Sequence, residues 1–182
     1  YDWKPLDRRL DAIRAMGGNA KVMLYLLVDP PASWMKAHPD ERVVYDSESS
    51  TDVVAGDLQK TNLLTPSYAS EVYIKSMEDF LKALIQHVDG QSYRNMLIGY
   101  HMVGGYDGQW YQYGANRAKL SDYSEPMRQY FIRYLRKKYQ NDVKRLQAAW
   151  HDSGIDFATA AIPSSQQRVE GGVFRDPAKQ QN

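Results

Sequence analysis

The sequence predicts an α/β fold, namely part of a (β/α)8 TIM-type barrel with about two parallel strands and three to four helices. Two short apolar runs without alternation, residues 21–28 and 96–103, are typical of strands buried on both faces of a parallel sheet. A helical stretch lies between them, and a long loop follows each run. Because a two-stranded parallel sheet leaves both edges open, we expect these strands to belong to a larger barrel.

Helical periodicity surrounds the two predicted strands. Apolar residues recur at helical spacing over residues 6–13, 73–88, 127–135 and 143–150. The segment from residue 29 to about residue 65 has no sustained period, which predicts a long irregular connection after the first strand. The predicted helix start signals are Pro5, the Thr65-Pro66 pair, Ser124 and Asn141.

Length and composition predict one ordinary domain. The chain has 182 residues, of which 43% are apolar. We expect residues 1–163 to form a partial β/α-barrel catalytic domain. Residues 164–182 are then an irregular tail or the start of the next barrel segment.

The charge balance and the absence of Cys exclude several kinds of partner and site. Lys and Arg number 23 against 22 Asp and Glu, so nucleic acid and anionic membranes are not expected as partners. The stretch from Gly104 to Gly108 lacks the spacing of a phosphate loop, and the His residues lack metal-ligand spacing. We therefore expect no cofactor and no metal, and the sequence leaves the compartment open.

Aromatic and amide residues are concentrated in the loops that follow the predicted strands. The chain holds 14 Tyr and 4 Trp. Rigid aromatic faces pack on sugar rings, while amides and carboxylates hydrogen-bond sugar hydroxyls, so a saccharide groove is expected. The alternative is that these aromatic residues only cap the barrel core. The candidate site residues are Asp29, Trp34, His101, Tyr106, Asp107, Gln109, Trp110 and Tyr111.

His101 lies within the second predicted strand. A His in a buried strand is more often a hydrogen-bonded core residue than a ligand or base, and this is the alternative to a substrate-binding role.

Several segments resemble, in order, the middle of β-galactosidase-like glycoside hydrolases of the family 42 type and their relatives. They include "KVMLYLLVDPPASW", "HPDE", "TPSYASEVY", "IGYHMVGGYDGQW" and "DYSEPMRQYFIRYLRKKYQNDVKRLQAAW". The most specific are the strand followed by Pro30, Pro31 and Trp34, and the helical stretch from Lys138 to Trp150. The resemblance covers nearly the whole chain.

The resemblance implies a retaining mechanism with two carboxylic acids, one following the fourth barrel strand and one following the seventh. Residues 96–103 correspond to the fourth strand, and relatives tend to carry Glu-Trp where this chain has Gln109-Trp110. Gln109 therefore occupies the acid/base position. The Gln is explained by an engineered change, by a natural pseudoenzyme, or by a misalignment in which Asp107 is the acid. The wider clan's Asn before the acid is also replaced, by Gly108.

The resemblance also places the nucleophile beyond residue 182. We therefore expect this chain alone to be inactive and its parent protein to be a glycosidase acting on β-galactoside-like or related bonds. One rival is a non-catalytic carbohydrate-binding protein. Another is a scaffold piece that assembles with the remainder of the barrel or with a second copy of itself.

Overall fold

The computed structural model of the protein describes residues 1–46, 65–105, 108–110 and 120–170. The chain divides into two compact units. The first comprises Tyr1–Asp29 and Val72–Tyr111, and the second comprises Pro30–Glu71 and Gln112–Asn182. Each unit is therefore made of two separate stretches of the chain. The single domain that composition predicts stays a prediction. The expected boundary at residue 163 stays a prediction.

Both predicted strands are present, and each begins one residue later than predicted. The first also ends one residue earlier, because Val28 lies just outside the ladder. Short 3-10 turns occur at Pro39–Glu41 and Arg94–Met96. In chain order the elements are α1 (Lys4–Ala15), β1 (Val22–Leu27), α2 (Ala32–Ala37), α3 (Glu71–Asp89), β2 (Leu97–Val103), α4 (Glu125–Lys138), α5 (Val143–Trp150) and α6 (Ser165–Glu170).

Strands β1 and β2 pair in parallel within the first unit. In this register Tyr25 lies opposite His101, and Leu27 lies opposite Val103. Beyond the strand, the Val28 N–H donates to the Val103 carbonyl at 2.8 Å. The two strands therefore end side by side, and the loops that follow them start from the same edge of the sheet.

The core of the first unit lies between one face of the sheet and helices α1 and α3. Two strand side chains that point to this face are buried, Leu24 being 9% and Leu97 8% exposed. Helix α3 buries residues that recur at a helical spacing, as its period predicts. The buried cluster consists of Leu10, Leu24, Leu84, Val88, Tyr93 and Leu97.

The opposite face of the sheet is open, so the prediction that these strands are buried on both faces is wrong for this chain. Met23 is 55% exposed, Tyr25 62% and Leu27 57%. Strand side chains alternate between faces, and no described element of the first unit covers this one. Two strands with helices on one side leave apolar residues in solvent.

Helix α4 begins as predicted, at Ser124, whose Oγ accepts from the Met127 N–H at 3.3 Å. The cap of α5, however, is Asp142 rather than Asn141. The Asp142 carboxylate accepts from the Lys144 N–H at 2.9 Å. Asn141 has a φ of 57° and donates its N–H to the Arg136 carbonyl at 2.8 Å, so it closes the end of α4 instead.

Thr65 and Pro66 do not start a helix, because α3 begins at Glu71. Their backbone pairs with an earlier segment of the second unit: the Val43 N–H donates to the Thr65 carbonyl at 2.9 Å, and Pro66 forms an antiparallel bridge with Arg42. This pairing needs extended backbone, which competes with a helical first turn at the same residues.

Two segments that lack a period in the sequence contain short helices. Helix α2 lies in the connection predicted as irregular, and α6 lies in the stretch predicted as an irregular tail. Each has only six residues, which is too short for a hydrophobic period to be recognised. The core of the second unit is formed by Ile132, Leu135, Leu146, Phe157 and Ala160.

One carboxylate joins α1 to α3 and to the turn before β2. Oδ1 of Asp7 accepts from Nε2 of His87 at 2.7 Å and from the Tyr93 hydroxyl at 2.5 Å. Partial burial of the Asp7 carboxyl raises its pKa, but the hydrogen bonds from Tyr93 and His87 outweigh this and lower the pKa below its usual 3.8. Trp3 stacks on the His87 ring with centroids 5.2 Å apart.

We expect Asp7→Ala to lower the free energy of unfolding by about 1–3 kcal/mol, because it leaves two largely buried donors without an acceptor. The folded-state pKa of Asp7 is depressed, so its contribution is complete above the unfolded pKa of 3.8 and is lost as the pH falls through the lower native value. Urea titrations at several pH values measure both effects.

Asp11→Ala is the matched control, since Asp11 lies on the same helix and, among the described residues, forms an ion pair with Arg14 alone, at 3.3 Å and half exposed. Such surface pairs contribute about 0–1 kcal/mol. Equal losses for the two variants would contradict the role given to Asp7.

Candidate active site

The loop after β2 folds back on itself immediately. The Trp110 N–H donates to the Gly104 carbonyl at 2.7 Å, and the Gly108 N–H donates to the Gly105 carbonyl at 3.1 Å. Gly105 and Gly108 have φ values of 74° and 69°, which glycine adopts without strain. The turn holds residue 109 at the C-terminal end of the strand, where the sites of parallel barrels lie.

Gln109 is exposed on this turn. Its amide makes no hydrogen bond to another residue within the described parts of the chain. A side-chain amide offers two N–H donors and a carbonyl acceptor. All of these groups are available to a ligand.

Trp110 follows with a φ of 61° and is 51% exposed. Its indole lies against the backbone of Gly104, where a Cβ would come within 3.0 Å of Trp110 Cζ3 and 3.1 Å of Val28 Cγ2. The ring therefore packs against Gly104 and is half exposed. This is the arrangement that a sugar-stacking platform requires.

His101 lies on the open face of the sheet and is exposed. Its ring meets Tyr25 edge to face, with centroids 5.5 Å apart and an interplanar angle of 86°. The interpretation as a hydrogen-bonded core residue is wrong, since this side chain forms no hydrogen bond with any described residue. The face that a complete barrel would enclose is uncovered here.

Tyr25 is the residue that sequence reasoning missed. Its hydroxyl occupies the space that a Cβ at Gly108 would take, so it lies beside the residue that precedes Gln109. Tyr25 lies opposite His101 and two residues before Leu27, so it points to the same face as both, which follows from the strand register and not from the sequence. Because Tyr25 lies within a continuous apolar run, the sequence does not single out its hydroxyl as a polar group of the site.

Asp29 follows β1 and is half-buried. It lies near Tyr73, whose hydroxyl donates to the Val28 carbonyl at 3.0 Å. Burial raises the pKa of the Tyr73 hydroxyl, and the nearby Asp29 carboxylate raises it further. Tyr73 therefore stays protonated and fixes the end of β1 from helix α3.

The other predicted site residues are not part of the described first-unit site. Trp34 belongs to the second unit, where it is half-buried in α2 and its ring centroid lies 4.4 Å from that of His38. Tyr106, Asp107 and Tyr111 lie outside the described residues.

Nothing in the described ranges suggests a metal or a membrane span. Across residues 1–46, 65–105, 108–110 and 120–170, no three His, Asp or Glu side chains are grouped so that they could hold a metal ion. Within the same ranges no helix is long and apolar enough to cross a bilayer.

The family model for the β-galactosidases of glycoside hydrolase family 42 matches residues 1–154. This chain belongs to that family. No curated protein matches the sequence. Among solved structures, the chain is similar to Gan42B, a family 42 β-galactosidase, and to a catalytic mutant of Gan42B from G. stearothermophilus, with TM-scores of 0.60 and 0.61.

Both structural matches are 18% identical and include 91% of this chain. The chain in turn spans 22% of the length of each of those proteins. The predicted family and the predicted fold, a portion of a β/α barrel, are confirmed.

We expect Gly104→Ala to displace the Trp110 indole without unfolding the protein, because the added methyl group is too close to Trp110 and Val28. In protein labelled with 5-fluorotryptophan, the ¹⁹F resonance of Trp110, assigned with Trp110→Phe, should shift while the other tryptophan resonances stay in place. Gly99→Ala is the control, since a Cβ at Gly99 meets nothing within 4 Å. An unmoved Trp110 resonance would show that the ring does not rest on Gly104.

Proposed function

We propose that this chain is the part of a β-galactosidase-like glycoside hydrolase that carries the acid/base position, residue 109, of a retaining two-carboxylate mechanism. The observation that carries the proposal is the placement of Gln109, exposed beside the Trp110 platform on a tight turn at the end of β2. Membership of family 42 supports β-galactoside-like or related glycosides as the substrate class.

The proposed roles follow from side-chain chemistry. Residue 109 faces the glycosidic oxygen, and Trp110 stacks on a sugar ring. Polar groups near the strand ends hydrogen-bond the sugar hydroxyls. The residues proposed for substrate binding are Asp29, Trp34, His101, Tyr106, Trp110 and Tyr111.

An amide at position 109 changes what the site does. Protonation of the leaving oxygen needs a carboxylic acid, and the Gln amide has no comparably acidic proton. Asp107, one residue before Gly108, is the alternative acid. With Gln at the acid/base position, the proposed site binds and orients a glycoside but does not protonate it.

A retaining mechanism also needs a nucleophilic carboxylate about 5–5.5 Å from the acid. We assign this residue to another part of a longer protein, because family 42 structures extend well beyond the region that this chain spans. The exposed apolar face of β1 and β2 supports assembly with the remainder of a barrel or with a second copy of the chain.

A non-catalytic carbohydrate-binding protein is the second candidate function. The observation that favours it is the amide itself: Gln109 keeps two donors and an acceptor for sugar hydroxyls while removing the acid. This protein would bind β-galactosides without cleaving them.

We expect Gln109→Glu in the natural gene product to raise the rate of hydrolysis of β-galactosides with poor leaving groups by about 10²–10⁴-fold. Activated aryl β-galactosides should gain much less, because their leaving groups need no protonation. Steady-state kinetics on both substrate types measures the difference.

Gln86→Glu provides the control, since Gln86 is an exposed amide on α3 away from the strand ends. If Gln109→Glu changes neither substrate class while Asp107→Asn abolishes hydrolysis, Asp107 is the acid. If neither form hydrolyses any glycoside but both bind them, the carbohydrate-binding function replaces the enzymatic one.

A further inference from the structure

The Tyr25 hydroxyl and the Gly108 backbone occupy adjoining space at the end of the sheet. Any side chain at position 108 would begin where the Tyr25 oxygen lies. Gly108 also has a φ of 69°, which glycine adopts without strain. Glycine at position 108 therefore leaves room for the Tyr25 phenol.

A polar group thus reaches the space beside residue 108 from the neighbouring strand β1, where the Tyr25 hydroxyl lies against the position of a Gly108 Cβ.

This hydroxyl is available to a ligand. Tyr25 is 62% exposed, and its oxygen makes no hydrogen bond to another residue in the described ranges. Its ring is held by the edge-to-face contact with His101 and by the strand register. A rigid aromatic side chain with a free hydroxyl loses little conformational entropy when it binds a ligand.

We propose that the Tyr25 hydroxyl hydrogen-bonds a hydroxyl of the sugar unit next to the scissile bond and so helps to determine which glycosides the site accepts. The inference rests on the proposed function, because it needs residue 109 to face the glycosidic oxygen. Gly108 lies against the Tyr25 hydroxyl and is bonded directly to Gln109, so the phenol is close to the proposed acid/base position. A phenol both donates and accepts hydrogen bonds, which suits a sugar hydroxyl.

The test measures equilibrium binding of methyl β-galactoside and each of its monodeoxy derivatives by calorimetry. We expect Tyr25→Phe to weaken binding of the parent sugar about 5–10-fold, the usual effect of one hydrogen bond. Binding of one monodeoxy derivative, which lacks the partner hydroxyl, should not change. A structural role of Tyr25 would instead weaken all of these ligands equally.

Tyr100→Phe is the matched control, since Tyr100 lies on the other strand and points to the opposite face from Tyr25. It should leave every affinity unchanged. Equal affinities for the unaltered protein and Tyr25→Phe, or equal weakening across the whole panel, would overturn the inference and leave the proposed function standing. No binding of any of these sugars by the unaltered protein would overturn both.

Moving the polar group from residue 25 to residue 108 tests the proposed geometry independently of the Tyr25→Phe variant. Gly108→Asn should abolish binding, because the new side chain collides with the Tyr25 hydroxyl, although Asn tolerates the left-handed backbone. The double variant Tyr25→Ala/Gly108→Asn removes the collision and restores a polar group at the same place. Failure of the double variant to bind better than Gly108→Asn would contradict the proposal.

Discussion

The parallel pairing of β1 with β2 is the constraint on which the candidate site depends. The pairing sets Tyr25 beside His101 and brings both strands to an end at the same level. The hydrogen bond from Val28 to Val103 carries this alignment one residue further, and the Tyr73 hydroxyl fixes the Val28 carbonyl from helix α3. The turn that presents Gln109 therefore starts from a position determined by backbone hydrogen bonds.

This pairing also makes the two faces of the sheet unequal. Helices α1 and α3 pack against one face and bury Leu24 and Leu97 there, while the other face keeps Met23, Tyr25 and Leu27 in solvent. In a barrel the same alternation separates the helix-packed outside from the enclosed interior. The exposed apolar residues and the exposed polar groups of Tyr25 and His101 lie on the same face of the sheet.

The sequence predicts the elements whose signals are periodic and local. The apolar runs identify β1 and β2, and helical spacing identifies α1, α3, α4 and α5. Prediction fails where two local structures compete for the same residues. Thr65 has the chemistry of a cap but is used in pairing with Val43, and Asn141 closes one helix while Asp142 begins the next. These choices depend on partners far along the chain or on backbone geometry.

The residues of the candidate site are likewise predicted only in part. Gln109 and Trp110 were identified because a glycine-rich aromatic loop follows a strand, and the structure places both on an exposed turn. Tyr25 was not identified, and His101 was assigned by one interpretation to the core. Their positions follow from the register and from the uncovered face, and neither is visible in a continuous run of apolar residues.

The proposed site assigns ligand orientation and proton transfer, which a working glycosidase combines, to different groups. In the proposed function, the turn that carries Gln109, the Trp110 indole and the Tyr25 hydroxyl orient the ligand. The same proposal assigns proton transfer to the side chain at position 109. Gln and Glu have nearly the same shape, so replacing one by the other changes the second property and preserves the first. Under this proposal, a chain with Gln109 keeps the framework for recognising a glycoside, while residue 109 itself supplies no acid.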